Sequence, residues 1–131
     1  MTSAATTEVT RVTRSVIERY EHELYNARDL TKVPELLADP MYRHDAGGKV
    51  TTMSQADCEA RIGGFLESFT ELTFRTIHLI VDGPLASYTY ELTMTTADGT
   101  SQVISSIEIF EVRDDKIVAV WNAPYAQGPW R

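Results

Sequence analysis

Apolar residues recur at spacings of three and four through the first quarter of the chain. Val9, Val12, Val16, Tyr20 and Leu24 predict an amphipathic helix ending near Ala27. Asp29 is placed to cap a second, short helix carrying Leu30, Val33, Leu36 and Leu37. Pro34 falls in its first turn, where a missing N–H is tolerated, and Asp39-Pro40 closes it. Met41 to Asp45 and Lys49 to Met53 read as short strands around a turn at Ala46-Gly47-Gly48. Ser54 then caps a third helix, with Asp57 at the capping-box position and a stripe of Cys58, Ile62, Phe65, Leu66 and Phe69. Gly63 and Gly64 lie inside it at a cost of about 1 kcal/mol each relative to alanine. Close packing against a sheet would account for them, and close approach of a ligand is the secondary reading.

The second half reads as strands throughout. Leu72 to Val81 ends at Asp82-Gly83-Pro84, and Ala86, Tyr88, Tyr90, Leu92 and Met94 alternate with polar neighbours as in a half-buried strand. Ala97-Asp98-Gly99 signals a hairpin before the strand Val103 to Val112. Arg113 to Lys116 makes the next turn, and Ile117 to Ala123 is apolar enough for a central strand. Pro124 and Pro129 mark an irregular tail. Helices followed by a four-strand meander can bury their stripes only against that sheet. The expected fold is therefore α+β: three N-terminal helices packed in the concave face of a curved, mostly antiparallel sheet, forming a cone-shaped α+β barrel. The interior of such a cone is a natural ligand pocket.

The 131 residues fit one domain, 1–131, with residues 1–7 expected as a frayed tail. A net charge of −7 argues against nucleic acid and anionic membrane as partners, which require a basic face. Cys58, the one cysteine, cannot form an internal disulfide or build a zinc site alone and reads as a buried apolar residue. The N-terminus lacks the basic and apolar stretches of a signal peptide, and no apolar run approaches a membrane span, so a cytoplasmic setting is expected.

Glu108 is the residue that stands out. Alternation places it either on an apolar face with Ile104, Phe110 and Val112, or facing water while Ile107 and Ile109 enter the core. In the first case an unpaired buried charge costs several kcal/mol, and the carboxyl pKa rises until the group is neutral and can donate a hydrogen bond. Asp45 ends a short strand, with Met41 and Arg43 on its face and Tyr42 and His44 on the other. It is placed either as a general base at a pocket mouth or as a turn residue bonded to Gly47 or Gly48. His22, between Glu21 and Glu23, reads as solvated. His78 could face a pocket and pair with a carboxylate as in a dehydratase, or face out. No histidine pair has metal-ligand spacing, so no metal is expected.

Several segments together resemble the nuclear transport factor 2-like superfamily, and within it the SnoaL-like polyketide cyclases and steroid Δ-isomerases. They are Tyr25 to Asp29, Glu35 to Asp39, His44-Asp45, Phe65 to Phe74, and Ile107 to Val118 with Trp121. The resemblance implies that Asp45 occupies the position of the isomerases' proton-shuttling aspartate. It implies that Glu108 occupies the position of the neutral aspartic acid in their oxyanion hole. The same position holds a histidine in the cyclases. Tyr20 would match the isomerases' oxyanion-hole tyrosine but is one residue out of register, about 100° around an α-helix. Asn122 stands where the cyclases carry a basic aspartate; it cannot act as a base, though it can donate a hydrogen bond.

Two functions follow as expectations. The first is a cofactor-independent isomerase, cyclase or dehydratase acting by proton abstraction on a small hydrophobic carbonyl compound. In it Asp45 and Glu108 are catalytic, and Tyr20, Phe65, Trp121, Asn122 and His78 shape or orient the ligand; epoxide opening by paired carboxylates is a variant. The second is a non-catalytic ligand-binding or dimerisation module. A homodimer through the outer sheet face is expected in either case, by analogy with small members of the fold.

Overall fold

The computed structural model describes residues 4–130. Helix α1 spans Ala4–Arg19, so residues 4–7 open the helix instead of fraying; residues 1–3 lie outside the described residues. From Tyr20 to Asn26 the helix continues as a π-helix, with Ala27 N–H donating to the His22 carbonyl at 2.9 Å. The predicted second helix is a 3₁₀ turn, Leu30–Lys32, running into a four-residue α2, Val33–Leu36. Asp29 caps that turn as expected, accepting from the Thr31 N–H. Helix α3, Gln55–Glu67, opens on a complete capping box: Ser54 and Asp57 bond reciprocally to each other's backbone at 3.0 Å.

Seven strands follow: β1 Leu37–Asp45, β2 Val50–Met53, β3 Glu71–Asp82, β4 Leu85–Thr95, β5 Ser101–Arg113, β6 Lys116–Asn122 and β7 Ala126–Gln127. They form one mixed, mostly antiparallel sheet in the order β2-β1-β6-β5-β4-β3, with β7 pairing β5. The one parallel pairing joins β1 to β6, which puts β6 at the centre of the sheet. Strand β1 starts at Leu37, four residues before the expected start, and runs through a cis Asp39-Pro40 bond beside an irregularity in its pairing with β6. The β5–β6 hairpin turns on Asp114 and Asp115, both at positive φ (51° and 64°), the conformation that a tight two-residue turn requires and that Asp tolerates.

One face of this sheet carries the core. Ala86, Tyr88, Tyr90, Leu92 and Met94 of β4, and Ile104, Phe110 and Val112 of β5, are buried against Val16, Ile17, Leu24, Ile62 and Leu66 of the helices. The helix glycines have a different explanation from the one expected. A Cβ on Gly63 would lie 3.2 Å from the Leu30 side chain in the 3₁₀ turn, whereas Gly64 faces open space. The close approach is thus to a neighbouring turn and not to the sheet.

Candidate functional site

The π-helix decides where two tyrosines point. In an α-helix, residues five apart differ by about 140° around the axis. In a π-helix, whose bonds run from i to i+5, they stack on one side. Tyr20 and Tyr25 accordingly meet, hydroxyl to hydroxyl at 3.2 Å, and both line an inner cavity. Glu21 and Asn26 form a second such pair, turned to the sheet. Asn26 bonds the Phe74 backbone of β3 through both its carbonyl (2.8 Å) and its amide (3.1 Å). Buried Glu21 accepts from Tyr88 at 2.6 Å and from Thr76 at 2.9 Å. These anchors on β3 and β4 offset the weaker backbone geometry of a π segment.

The cavity, about 240 Å³, is bounded by Tyr20, Tyr25, Phe65, Phe74 and Tyr90 on its aromatic side, and by Arg43, Arg61, Ser106, Glu108 and Asn122 on its polar side. Of the two orientations open to Glu108, the inward one holds. Phe110 and Ser106 beside it are buried, while Ile107 and Ile109 are 39% and 42% exposed. Burial pushes the Glu108 carboxyl above its ordinary value, against a hydrogen bond from Tyr90 and the charges of Arg43 and Arg61. Burial also holds the Tyr20 hydroxyl well above its usual range, reinforced by Tyr25 and Glu108.

Sheet register sets Asp45 and Glu108 in one row. Asp45 lies opposite Asn122 in the β1–β6 pairing, and Asn122 lies opposite Glu108 in the β6–β5 pairing. Residues directly opposite share a face, so all three project inward, and the two carboxyl-bearing strands stand about 10 Å apart across β6. Asn122 reaches toward Asp45, Nδ2 to Oδ1, at 3.5 Å, and Arg43 Nε lies 3.6 Å from the same oxygen. Asp45 is also a turn residue, as its alternative reading held: its N–H donates to Lys49 O at 2.8 Å and its carbonyl accepts from Gly48 N–H. Its carboxyl sits at the rim beside Asn122, and the cavity wall itself is formed by Asn122 and Glu108.

Two expected pocket residues lie elsewhere. Trp121 neighbours Asn122 on β6, and alternation turns it outward, where it stacks on His44 (centroids 4.6 Å apart, planes 8° apart). His78 would share a face with Phe74 and Thr76, but a bulge at Ile77 shifts the register, so His78 pairs with Thr89 and bonds its hydroxyl on the outer face at 2.9 Å. Tyr20, Phe65 and Asn122 line the cavity. Arg43, Arg61, Tyr25 and Tyr90 were not singled out from the sequence. Arg43 was legible from its alternation with Asp45, and Arg61 from lying four residues before Phe65 on one helix face. Among the described residues, no group of three or more His, Cys, Asp or Glu side chains could hold a metal, and no helix is long and apolar enough to cross a membrane.

The profile of the SnoaL-like domain family matches residues 17–120, which include Tyr20, Arg43, Arg61, Phe65 and Glu108 of the cavity and stop two residues before Asn122. The chain belongs to the SnoaL-like domain family. No curated protein sequence matches it. Solved structures do. A candidate SnoaL-like polyketide cyclase from Jannaschia sp. CCS1 superposes with a TM-score of 0.74 at 13% identity, covering 91% of this chain and 87% of that one. A candidate ketosteroid isomerase from Kribbella flavida DSM 17836 gives 0.67 at 22% identity, covering 92% and 83%. An LEH-like epoxide hydrolase from M. tuberculosis gives 0.67 at 15% identity, covering 92% and 84%. At these identities the likeness is one of fold: this SnoaL-like chain has the nuclear transport factor 2-like architecture.

Proposed function

We propose that this SnoaL-like protein is a cofactor-independent enzyme that abstracts a proton beside the carbonyl of a small hydrophobic compound. The outcome is isomerisation, cyclisation or dehydration. The observation that carries this reading is the inward row Asp45–Asn122–Glu108, set by strand register. Asp45 at the rim takes the proton. Glu108, favoured in its neutral form by burial, donates a hydrogen bond to the developing enolate oxygen, with the Tyr20 hydroxyl as a second donor. Asn122, between the two carboxyls, orients Asp45 and the substrate. Phe65 and Tyr25 pack against the ring system.

The test is solvent deuterium incorporation, followed by NMR, across a panel of β,γ-unsaturated ketones and enolisable aromatic dicarbonyls. Exchange on at least one panel member should fall about 10²-fold or more in Asp45→Asn, the usual loss on removing a general base. An Asp45→Asn protein that exchanges as fast as wild type would remove Asp45 from its role. No exchange on any panel member by the wild type would favour the non-catalytic binding reading. A homodimer through the outer sheet face is also proposed, on the exposed Tyr42, Ile80, Ile107, Ile109 and Trp121. Sedimentation as a monomer at micromolar concentration would exclude it.

A further inference from the structure

The chain carries a net charge of −7, yet its inner cavity is lined by two guanidinium groups, Arg43 and Arg61, and by one carboxyl group, Glu108. The protein engages these cations mainly through charge: both act on the Glu108 carboxyl, and Arg61 is exposed to solvent. Arg61 makes no hydrogen bond or ion pair with any described residue. The one ionic partner of Arg43 is Asp45, at 3.6 Å, too far for a good hydrogen bond. Arg43 is also mostly withdrawn from water, with its side chain 24% exposed. A guanidinium offers up to five N–H donors in a planar fork that matches a carboxylate. Two such forks line this cavity, one carried by strand β1 and one by helix α3 a turn before Phe65. A wholly hydrophobic ligand would complete the burial of the Arg43 donors without satisfying them, at a cost.

Resting on the reading of this cavity as a ligand site, we propose that its ligand is an aromatic or polycyclic carbonyl compound bearing a carboxylate. The carboxylate is held by Arg61 and Arg43, and the ring system enters between Tyr25, Phe65 and Phe74. Glu108 and Tyr20, which line one inner recess together with the two arginines, then meet a carbonyl or phenolic oxygen of the same molecule. This arrangement divides the labour in the cavity: the arginines set which molecule is bound and in which direction, and the Asp45–Asn122–Glu108 row acts on it.

The experiment is a fluorescence titration of the purified protein, at neutral pH and low salt, with two probes. One is β-naphthol; the other is a hydroxynaphthoate, which adds one carboxylate to the same ring system. The acid should bind about tenfold or more tightly than the neutral phenol, the gain of one or two charge-assisted hydrogen bonds. That preference should fall toward unity in Arg61→Gln and persist in Arg113→Gln, which removes an exposed cation outside the cavity. β-Naphthol bound as tightly as the acid by wild type would overturn the proposal and leave the catalytic reading standing. A preference unchanged in both Arg61→Gln and Arg43→Gln would overturn it as well. Binding of neither probe would overturn the proposal together with the reading of the cavity as a ligand site.

Discussion

Replacing Tyr88 by phenylalanine removes one oxygen from the middle of the molecule. Tyr88 is 2% exposed and Glu21 5%, and the hydroxyl donates to the carboxylate at 2.6 Å. The ring stays, so its stack on Tyr90, with centroids 5.2 Å apart, is kept and no packing is lost. What disappears is a hydrogen bond to a charged group, contributing about 1.5–3 kcal/mol. Thr76 still donates to Glu21, which keeps the loss below that of stranding the carboxylate altogether. With an unfolding entropy of about 2.1 cal/mol/K per residue, a chain of 131 residues should lose about 5 to 11 °C in Tm. Thermal melts followed by circular dichroism on wild type and Tyr88→Phe, at one pH and ionic strength, measure this directly. A drop below about 2 °C would show that the bond does not hold the π segment to β4. Glu21→Gln completes a double-mutant cycle: contact through this bond predicts a coupling of about 1 kcal/mol or more, and simple additivity would refute it as well.

Two other expectations are independent of that one. Glu108 has a raised pKa in the folded state, so the native protein holds this proton more tightly than the unfolded chain. The associated stability is complete below the ordinary glutamate range and is lost as pH rises through the folded value. Glu108→Gln has no such proton to lose, so urea midpoints from pH 4 to 8 should show the variant gaining on wild type as pH rises; a constant difference would contradict inward burial of an acid. Gly64→Ala should stabilise α3 by about 0.5–1 kcal/mol, because the added methyl meets open space. Gly63→Ala must displace the Leu30 side chain and should gain less or lose; equal gains at both positions in urea melts would undo the packing argument.

Two-residue alternation is reliable where a strand is regular, and that is where the sequence was legible. It offered the inward face for Glu108, and it set Arg43 with Asp45 and opposite to His44. It also implied that Trp121 and Asn122 could not both enter the cavity, a constraint that the chemical appeal of Trp121 obscured. His78 was beyond its reach, because the bulge at Ile77 depends on how β3 pairs with β4 and leaves no local signal. The row Asp45–Asn122–Glu108 joins three strands through one parallel pairing and one antiparallel pairing, and no local pattern encodes those registers. For the cavity arginines, alternation and helix spacing gave the face but not the role: a basic residue on an amphipathic helix or a strand end is usually solvated, and only the assembled aromatic wall makes Arg61 a lining residue.

The π segment has a consequence for how this chain is compared with others. Its turns each hold about one residue more than an α-helix would, so residues beyond it are displaced by one in any count made along the helix. That is the size of the offset that set Tyr20 one place out of line. An alignment that forbids gaps inside helices will carry the displacement onward or absorb it in the loop at Arg28. A single-residue gap between Arg19 and Asn26 is the change that the extra residue per turn calls for.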